Sequence, residues 1–172
     1  SQAATSSTDK AAYGDLYQWG RGADGHQCRN SKITTDLSLT DQPGHGDFIV
    51  SNRSSNWDWR KPKNDELWQG VNSTNNPCPK ADRIPSSAEW QAEIDTWKEN
   101  VVNTSTDTDT QLLLPMAGYR LNSIVNINTQ GRYWSNTVSP TYYSKYLYVD
   151  NDLATVFHYN RDHGYSVRCI KN

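Results

Sequence analysis

The chain contains few of the residues and motifs on which metal-dependent or redox enzymes rely. Its three cysteines, Cys28, Cys78 and Cys169, have no CxxC spacing, which excludes a zinc ribbon and a thioredoxin-type motif. The HExxH, GxSxG, P-loop and EF-hand patterns are also absent. The four histidines show no i, i+4 spacing that would mark a metal site on a helix. We therefore expect no cofactor, no metal ion and no enzymatic activity.

Strong charge and long apolar runs are missing as well. The net charge is −2 and no run of Lys or Arg occurs, which argues against a nucleic-acid partner. The longest apolar runs, such as Leu112–Leu114, are far shorter than the roughly 20 residues that cross a bilayer. The sequence therefore predicts no membrane insertion. Its 172 residues favour a single domain, with residues 1–8, which are small and polar, as a flexible N-terminus.

The cysteine count allows one disulfide and one unpaired thiol. We expect Cys78, in an Asn-Pro-Cys-Pro turn, to lie near Cys169, and Cys28 to remain unpaired. The turn enters a predicted helix and must return to the terminal strands to close the core, where a bond would fasten a long loop in an extracellular setting. In a reducing compartment, all three would instead be buried thiols.

Two helices and a set of late strands are predicted. Residues Ser86–Lys98 begin with a capping box, Ser86 and Glu89, and place Trp90, Ile94 and Trp97 on one side. A second helix is predicted over Asp9–Trp19, although Gly14 weakens it. Strand signals follow over 112–117, 132–136, 145–149, 154–159 and 165–170. Early helices followed by an antiparallel sheet predict an α+β fold.

The long polar region over residues 21–85 is interpreted as ordered loops with few regular elements. Glycine and proline interrupt it repeatedly, yet it contains the aromatic residues Phe48, Trp57, Trp59 and Trp68. A disordered linker would lack such side chains. We therefore expect buried indole rings to hold these loops in place.

The segment over residues 131–170 has the composition of a binding surface. Five of the ten tyrosines, Tyr142, Tyr143, Tyr146, Tyr148 and Tyr159, fall within 18 residues, with Phe157, His158 and His163 nearby. Tyrosine offers a large contact area and a polar tip at low entropic cost, as in antibody recognition loops. The alternative interpretation is a tyrosine-rich core, because strands also favour aromatic residues.

Six motifs in order resemble the Fibrobacter-type major paralogous domain (FISUMP). They are YGDLYQWGRGADGH, NDELWQGVNSTNNPCP, RIPSSAEW, LPMAGYR, GRYWSNT and GYSVRC, and they span Tyr13 to Cys169. That family is related to the C-type lectin fold of the formylglycine-generating enzymes. The resemblance implies two helices flanking a small twisted antiparallel sheet, with long ordered loops.

The chain departs from the enzymes and the sugar-binding lectins of that fold. The enzymes use a reactive cysteine pair late in the chain, where this sequence has only Cys169. The calcium-dependent lectins use Glu-Pro-Asn or Gln-Pro-Asp with Trp-Asn-Asp, where this chain has Gln42-Pro43-Gly44 and Trp134-Ser135-Asn136. The resemblance therefore supports neither a formylglycine-type oxidase nor a calcium-dependent lectin.

The same fold also carries the variable proteins of diversity-generating retroelements. Adenine-directed mutagenesis of AAC-type codons yields residues such as Tyr, Asp, His, Ser, Thr, Phe and Asn, but not Lys, Glu, Gln, Met or Trp. Between Asn136 and His163, Lys145 is the single residue from the excluded set. Trp134, Leu147, Val149, Arg161, Gly164 and Val167 occupy framework positions of the family pattern.

The resemblance thus implies a ligand-binding protein with a variable, tyrosine-rich surface over residues 131–170. Its ligand would be a protein or glycan on a cell or host surface, and its location extracellular, on a virion or cell surface. The alternatives are a nonvariable adhesive or structural domain of a cell-envelope protein and, third, a formylglycine-type oxidase-like enzyme. The expected ligand-binding residues are Tyr142, Tyr143, Tyr146, Tyr148, Asp150, Phe157, His158, Tyr159, Asp162 and His163.

Strand alternation makes this prediction specific. Leu147 and Val149 are expected to point inward, which leaves Tyr143, Tyr146, Tyr148 and Tyr159 at least partly exposed on one face. Trp90, Trp97 and Trp134 are expected in the core.

Overall fold

The computed structural model describes residues 4–51, 57–100 and 112–172. These residues form one α-helix, one short 3-10 helix and eleven strands. The helices are α1, Ser87–Asn100, and the 3-10 helix Lys10–Ala12. The strands are β1 Tyr17–Gln18, β2 Ile33–Thr34, β3 Phe48–Ile49, β4 Asp82–Arg83, β5 Tyr119–Arg120, β6 Ile124–Val125, β7 Gly131–Val138, β8 Tyr143–Val149, β9 Ala154–Asn160, β10 Gly164–Tyr165 and β11 Ile170–Lys171.

The strands form four small sheets. One is four-stranded, in the order β1-β10-β5-β6, and one is three-stranded, in the order β7-β8-β9. Strand β11 pairs with β4 antiparallel, whereas β2 pairs with β3 parallel. The fold of the described residues is therefore mostly β, and the predicted α+β arrangement, a C-type lectin-like pair of helices flanking one sheet, is wrong.

The first predicted helix does not form. Asp9 caps only a three-residue 3-10 helix, because Gly14 adopts a positive φ of 60° and turns the chain out of the helical path. Tyr17 and Gln18 then pair with Tyr165 and Gly164 as β1. Tyr17 and Gln18, which the sequence assigned to the end of a helix, are therefore in a strand instead.

Two predicted strands also need correction. Residues 112–117 are not a strand, since Leu113 has a φ of 40° and Pro115 has no N–H to donate to a ladder. The strand predicted over 165–170 is split into β10 and β11. The other three predicted strands correspond to β7, β8 and β9.

Helix α1 forms as its capping box predicts. The Ser86 N–H donates to Glu89 at 2.8 Å, and the Glu89 N–H donates to the Ser86 hydroxyl at 3.2 Å. Hydrogen bonds from Arg83, opposed by partial burial and assisted by those from Ser86, lower the pKa of Glu89 to about 2. The helix buries Trp90 and Ile94, whereas Trp97 is only partly buried.

The sheet β7-β8-β9 is covered on both faces over much of its area. Tyr133, Leu147 and Val149 pack with Trp90 and Ile94 of α1 in one cluster. Their neighbours Trp134 and Tyr146 point the other way, into a second cluster with Trp19, Ile49, Trp59, Leu67, Trp68, Ile84 and Tyr165. Adjacent residues of one strand therefore belong to two different cores.

Buried indole rings hold the long loops, as the sequence predicts. The Trp59 N–H donates to the Trp19 carbonyl at 2.7 Å, and the Trp68 N–H donates to Asn75 at 2.8 Å. Trp59, Trp68 and Phe48 are all fully buried, and Trp57 is partly buried. The loops are therefore part of the second core cluster and not a separate layer.

The predicted disulfide joins Cys78 to Cys169, and Cys28 is free and exposed. The bond lies beside the pairing of β4 with β11, so it links the loop before α1 to the end of the chain. Residues 1–3 of the predicted flexible N-terminus lie outside the described residues. Further along, the Ser7 carbonyl accepts from the Met116 N–H at 2.7 Å. None of the helices in the described ranges is long and apolar enough to cross a membrane.

Candidate functional site

The register of β7-β8-β9 places much of the tyrosine-rich segment on one surface. Tyr146 lies opposite Trp134 on β7 and opposite Phe157 on β9, so the three side chains share a face. By strand alternation Arg132, Tyr148 and Tyr159 point to the same side. Residues of β5 and β10, and His163 just before β10, lie on the same surface. We call this surface the aromatic face, and it comprises Tyr119, Arg132, Tyr146, Tyr148, Phe157, Tyr159, His163 and Tyr165.

The inner part of the aromatic face is rigid core. Tyr165 is fully buried and stacks on Trp134 with 4.2 Å between ring centroids. Tyr146 is 4% exposed and lies 4.7 Å from Tyr165. Gly164, next to Tyr165, permits the close approach of Phe48 to the strand, because a Cβ there would lie 2.9 Å from the Phe48 ring. These buried rings form a rigid layer, and the more exposed residues of the aromatic face pack on it.

The outer part of the aromatic face is open to solvent. Phe157 and Tyr159 are each 45% exposed, and Tyr148 is partly exposed. The Phe157 ring contacts Tyr148 at 5.7 Å, and the Tyr159 ring contacts His163 at 4.7 Å. Neighbouring rings thus restrain large aromatic side chains at the surface, which lowers the entropy that they lose when a partner binds.

Arg132 lies among the tyrosine rings. Its guanidinium carbon is 3.5 Å from the Tyr119 ring centroid, and 5.4 to 5.7 Å from those of Tyr146, Tyr148 and Tyr165. It donates to the Tyr165 hydroxyl at 3.2 Å and to the Gln130 side-chain oxygen at 3.0 Å. This combines a cation with aromatic surface at one place.

Asp150 stabilises the turn between β8 and β9 by accepting hydrogen bonds. One carboxylate oxygen accepts from the backbone N–H groups of Asp152 and Leu153, and the other accepts from the Tyr148 hydroxyl at 2.6 Å. Burial, together with this hydrogen bond to Asp150, raises the pKa of Tyr148 to about 12. The Tyr148 hydroxyl therefore remains a neutral donor at any physiological pH.

Two predicted site residues lie on the opposite face of the sheet. Tyr143 and His158 contact each other there, with 5.4 Å between their rings, and Lys145 lies opposite His158. His158 and Lys145 line a groove of about 500 Å³ beside Ser87 and Gln91 at the beginning of α1. Tyr142 precedes β8 and is partly exposed. The expectation that Tyr143 shares a face with Tyr146 and Tyr148 is therefore wrong, because odd and even positions of β8 point in opposite directions.

Three predicted site residues are buried. Tyr146 is buried because the loops that hold Trp19 and Trp59 cover that side of the sheet. Its predicted exposure is therefore wrong. Asp162 is 2% exposed and accepts from the backbone N–H and the hydroxyl of Ser51. His163 is 4% exposed and packs beneath Tyr159. They support the surface instead of forming it.

Sequence reasoning missed Tyr119, Arg132 and Tyr165. Alternation alone could have found Arg132, since it lies two residues before Trp134 and so points to the same side of β7. Tyr119 and Tyr165 reach the site through the pairing of β5 with β10, which brings together residues far apart in sequence. No local pattern indicates that pairing.

A scan against protein-family models and searches of curated proteins and of solved structures found no match to this chain. Within residues 4–51, 57–100 and 112–172, no group of three or more His, Cys, Asp or Glu side chains is arranged to hold a metal ion. What the aromatic face offers chemically is ring surface, hydroxyl groups and one guanidinium.

Proposed function

We propose that the protein is a binding module that contacts a protein ligand on a cell or host surface through the aromatic face. The observation that carries the proposal is the pair of half-exposed rings, Phe157 and Tyr159, which pack on the buried side chains of Tyr146 and His163. Aromatic residues and arginine are enriched among the anchors of protein interfaces. The resemblance of the six motifs to the FISUMP family supports the same proposal.

We further propose that the exposed residues of the tyrosine-rich segment, which lie on both faces of the sheet, are variable and that a diversity-generating retroelement produces the variation. Seven of the ten residues expected to contact ligand are exposed or partly exposed: Tyr142, Tyr143, Tyr148, Asp150, Phe157, His158 and Tyr159. By contrast, five of the six framework residues, Trp134, Leu147, Val149, Arg161 and Gly164, are buried, and the sixth, Val167, is partly buried. This division would let surface residues change while the core is kept.

An extracellular location agrees with the disulfide between Cys78 and Cys169, since such bonds persist in oxidising compartments. A fixed adhesive domain of a cell envelope is the second candidate function. The burial of Tyr146, Asp162 and His163 favours it, because these three residues belong to the adenine-accessible set and yet cannot vary freely in a packed core.

Replacing Phe157 or Tyr159 by alanine is expected to weaken binding and preserve the fold. Each variant should lose about 1–2 kcal/mol or more of binding free energy, because interface anchors are aromatic. Each should lower the free energy of unfolding by about 1 kcal/mol or less, because half of each ring is already in water. Peptides selected from a display library against the wild-type protein supply the ligand, and titration calorimetry and chemical unfolding supply the two measurements.

Ile33→Ala is the matched control, since Ile33 is 44% exposed on β2, which belongs to a different sheet from β7-β8-β9. It should leave binding unchanged. If Ile33→Ala weakened binding as much as Phe157→Ala and Tyr159→Ala did, the selected peptides would be reporting nonspecific apolar contact and the proposal would fail.

A further inference from the structure

We propose that Arg132 receives a carboxylate of the protein ligand, so that the preferred ligand presents an Asp or Glu beside an apolar side chain. This inference rests on the proposed function of the aromatic face and specifies which chemistry that face recognises. Its basis is the state of Arg132, a partly exposed cation that has no acidic partner among the residues that the structure describes.

Several other arginines pair with carboxylates of the chain, whereas Arg29 and Arg120 donate to backbone carbonyls and have no salt bridge among the described residues. Arg21 pairs with Asp24 at 2.9 Å, Arg83 pairs with Glu89 at 2.6 Å and Arg161 pairs with Asp65 at 2.6 Å. Arg132 instead bonds to two uncharged oxygens, those of Tyr165 and Gln130. An unneutralised guanidinium beneath a binding surface favours partners of opposite charge.

The hydrogen-bonding capacity of Arg132 is only partly used. A guanidinium carries five N–H donors, and those at the two terminal nitrogens make one described hydrogen bond each. The Nε N–H is buried without a described partner. Each terminal nitrogen therefore retains one N–H for a ligand, and among the side chains of a polypeptide a carboxylate is the group whose two oxygens match that planar fork.

The surroundings of Arg132 favour a polypeptide carboxylate. Tyr119 stacks on the guanidinium at 3.5 Å and holds its plane, so little rotational freedom remains to be lost on binding. The Phe157 ring, 45% exposed, lies across Tyr148 from Arg132 and offers an apolar surface without any hydrogen-bonding atom. That surface suits the apolar side chain next to an acidic residue better than the hydroxyl groups of a sugar.

The test is a selection of random dodecapeptides displayed on phage, carried out with the whole wild-type protein and with Arg132→Gln. Peptides selected by the wild-type protein should be enriched in Asp and Glu, and those selected by Arg132→Gln should not. The affinity of a wild-type-selected peptide should fall about tenfold or more on Arg132→Gln. Lys145→Gln removes the same charge from the opposite face of the sheet and should leave the affinity unchanged.

A second measurement needs no protein variant. Replacing the acidic residue of the peptide by its amide should weaken binding to the wild-type protein by a similar factor, and should have no further effect on Arg132→Gln. If Arg132→Gln does not fold, the peptide substitution still tests the inference, because an amide peptide that binds the wild-type protein as tightly as the acidic peptide overturns it.

Three outcomes overturn the inference, and they separate it from the proposed function. If peptide binding requires Phe157 and Tyr159 but the peptides show no preference for Asp or Glu, the proposed function is supported and the proposed role of Arg132 is wrong. If their binding depends on none of these three residues, both proposals fail. If oligosaccharides that carry carboxylates bind through Arg132 while no acidic peptide does, the polypeptide assignment is wrong.

Discussion

Replacement of Trp134 by alanine is expected to lower the free energy of unfolding by about 3–5 kcal/mol. Trp134 is fully buried, stacks on Tyr165 and donates its indole N–H to the Tyr17 carbonyl at 2.7 Å. Its removal therefore leaves a cavity, and the accepting carbonyl of Tyr17 loses its partner. Urea unfolding of the purified variant measures the loss directly.

Trp97→Ala is the control for that experiment. The same ring is removed, but Trp97 is only partly buried on α1, and its N–H bonds to Glu93 of the same helix. We expect a clearly smaller loss of stability. Equal losses for the two tryptophans would show that Trp134 is not the centre of the core beneath the aromatic face.

Removal of the disulfide should have the second largest effect. The double variant Cys78→Ala and Cys169→Ala should lose about 2–5 kcal/mol, because the bond closes a long loop in the unfolded chain. The two cysteines are 91 residues apart in sequence. Thermal unfolding with and without reductant should show the wild-type protein falling to the level of the variant when it is reduced.

Cys28→Ala controls for the loss of a thiol, since Cys28 is free and exposed. Its stability should equal that of the wild-type protein, and it should keep the sensitivity to reductant. Loss of the sensitivity to reductant in Cys28→Ala would contradict the assigned pairing.

Local chemistry made helix α1 predictable, whereas the disulfide was predicted from the expected return of the turn before that helix to the terminal strands. The capping box of Ser86 and Glu89 specifies where the helix begins, whatever packs around it. The first predicted helix failed because the spacing of Tyr13, Leu16 and Tyr17 carries no information about the distant partners Gly164 and Tyr165, whose pairing makes Tyr17–Gln18 a strand. Strand pairing over such distances is a tertiary effect that overrides local propensity.

The candidate site shows the same limit. Alternation along β8 correctly assigned Leu147 and Val149 to the inside, but it could not tell whether a second layer covers the other side. Loops that hold Trp19 and Trp59 supply that layer and bury Tyr146 while leaving Phe157 and Tyr159 open. Composition therefore indicated the segment of the candidate site, and long-range packing decided which of its residues are exposed.

Sequencing the region that encodes residues 131–170 in many copies of the gene from one natural population tests directly whether the exposed residues vary. We predict replacements that arise from adenine changes, concentrated at the exposed residues Phe157, His158 and Tyr159, with Trp134 and Leu147 unchanged. Replacements scattered evenly along the chain, or an invariant set of exposed residues, would contradict a variable binding surface.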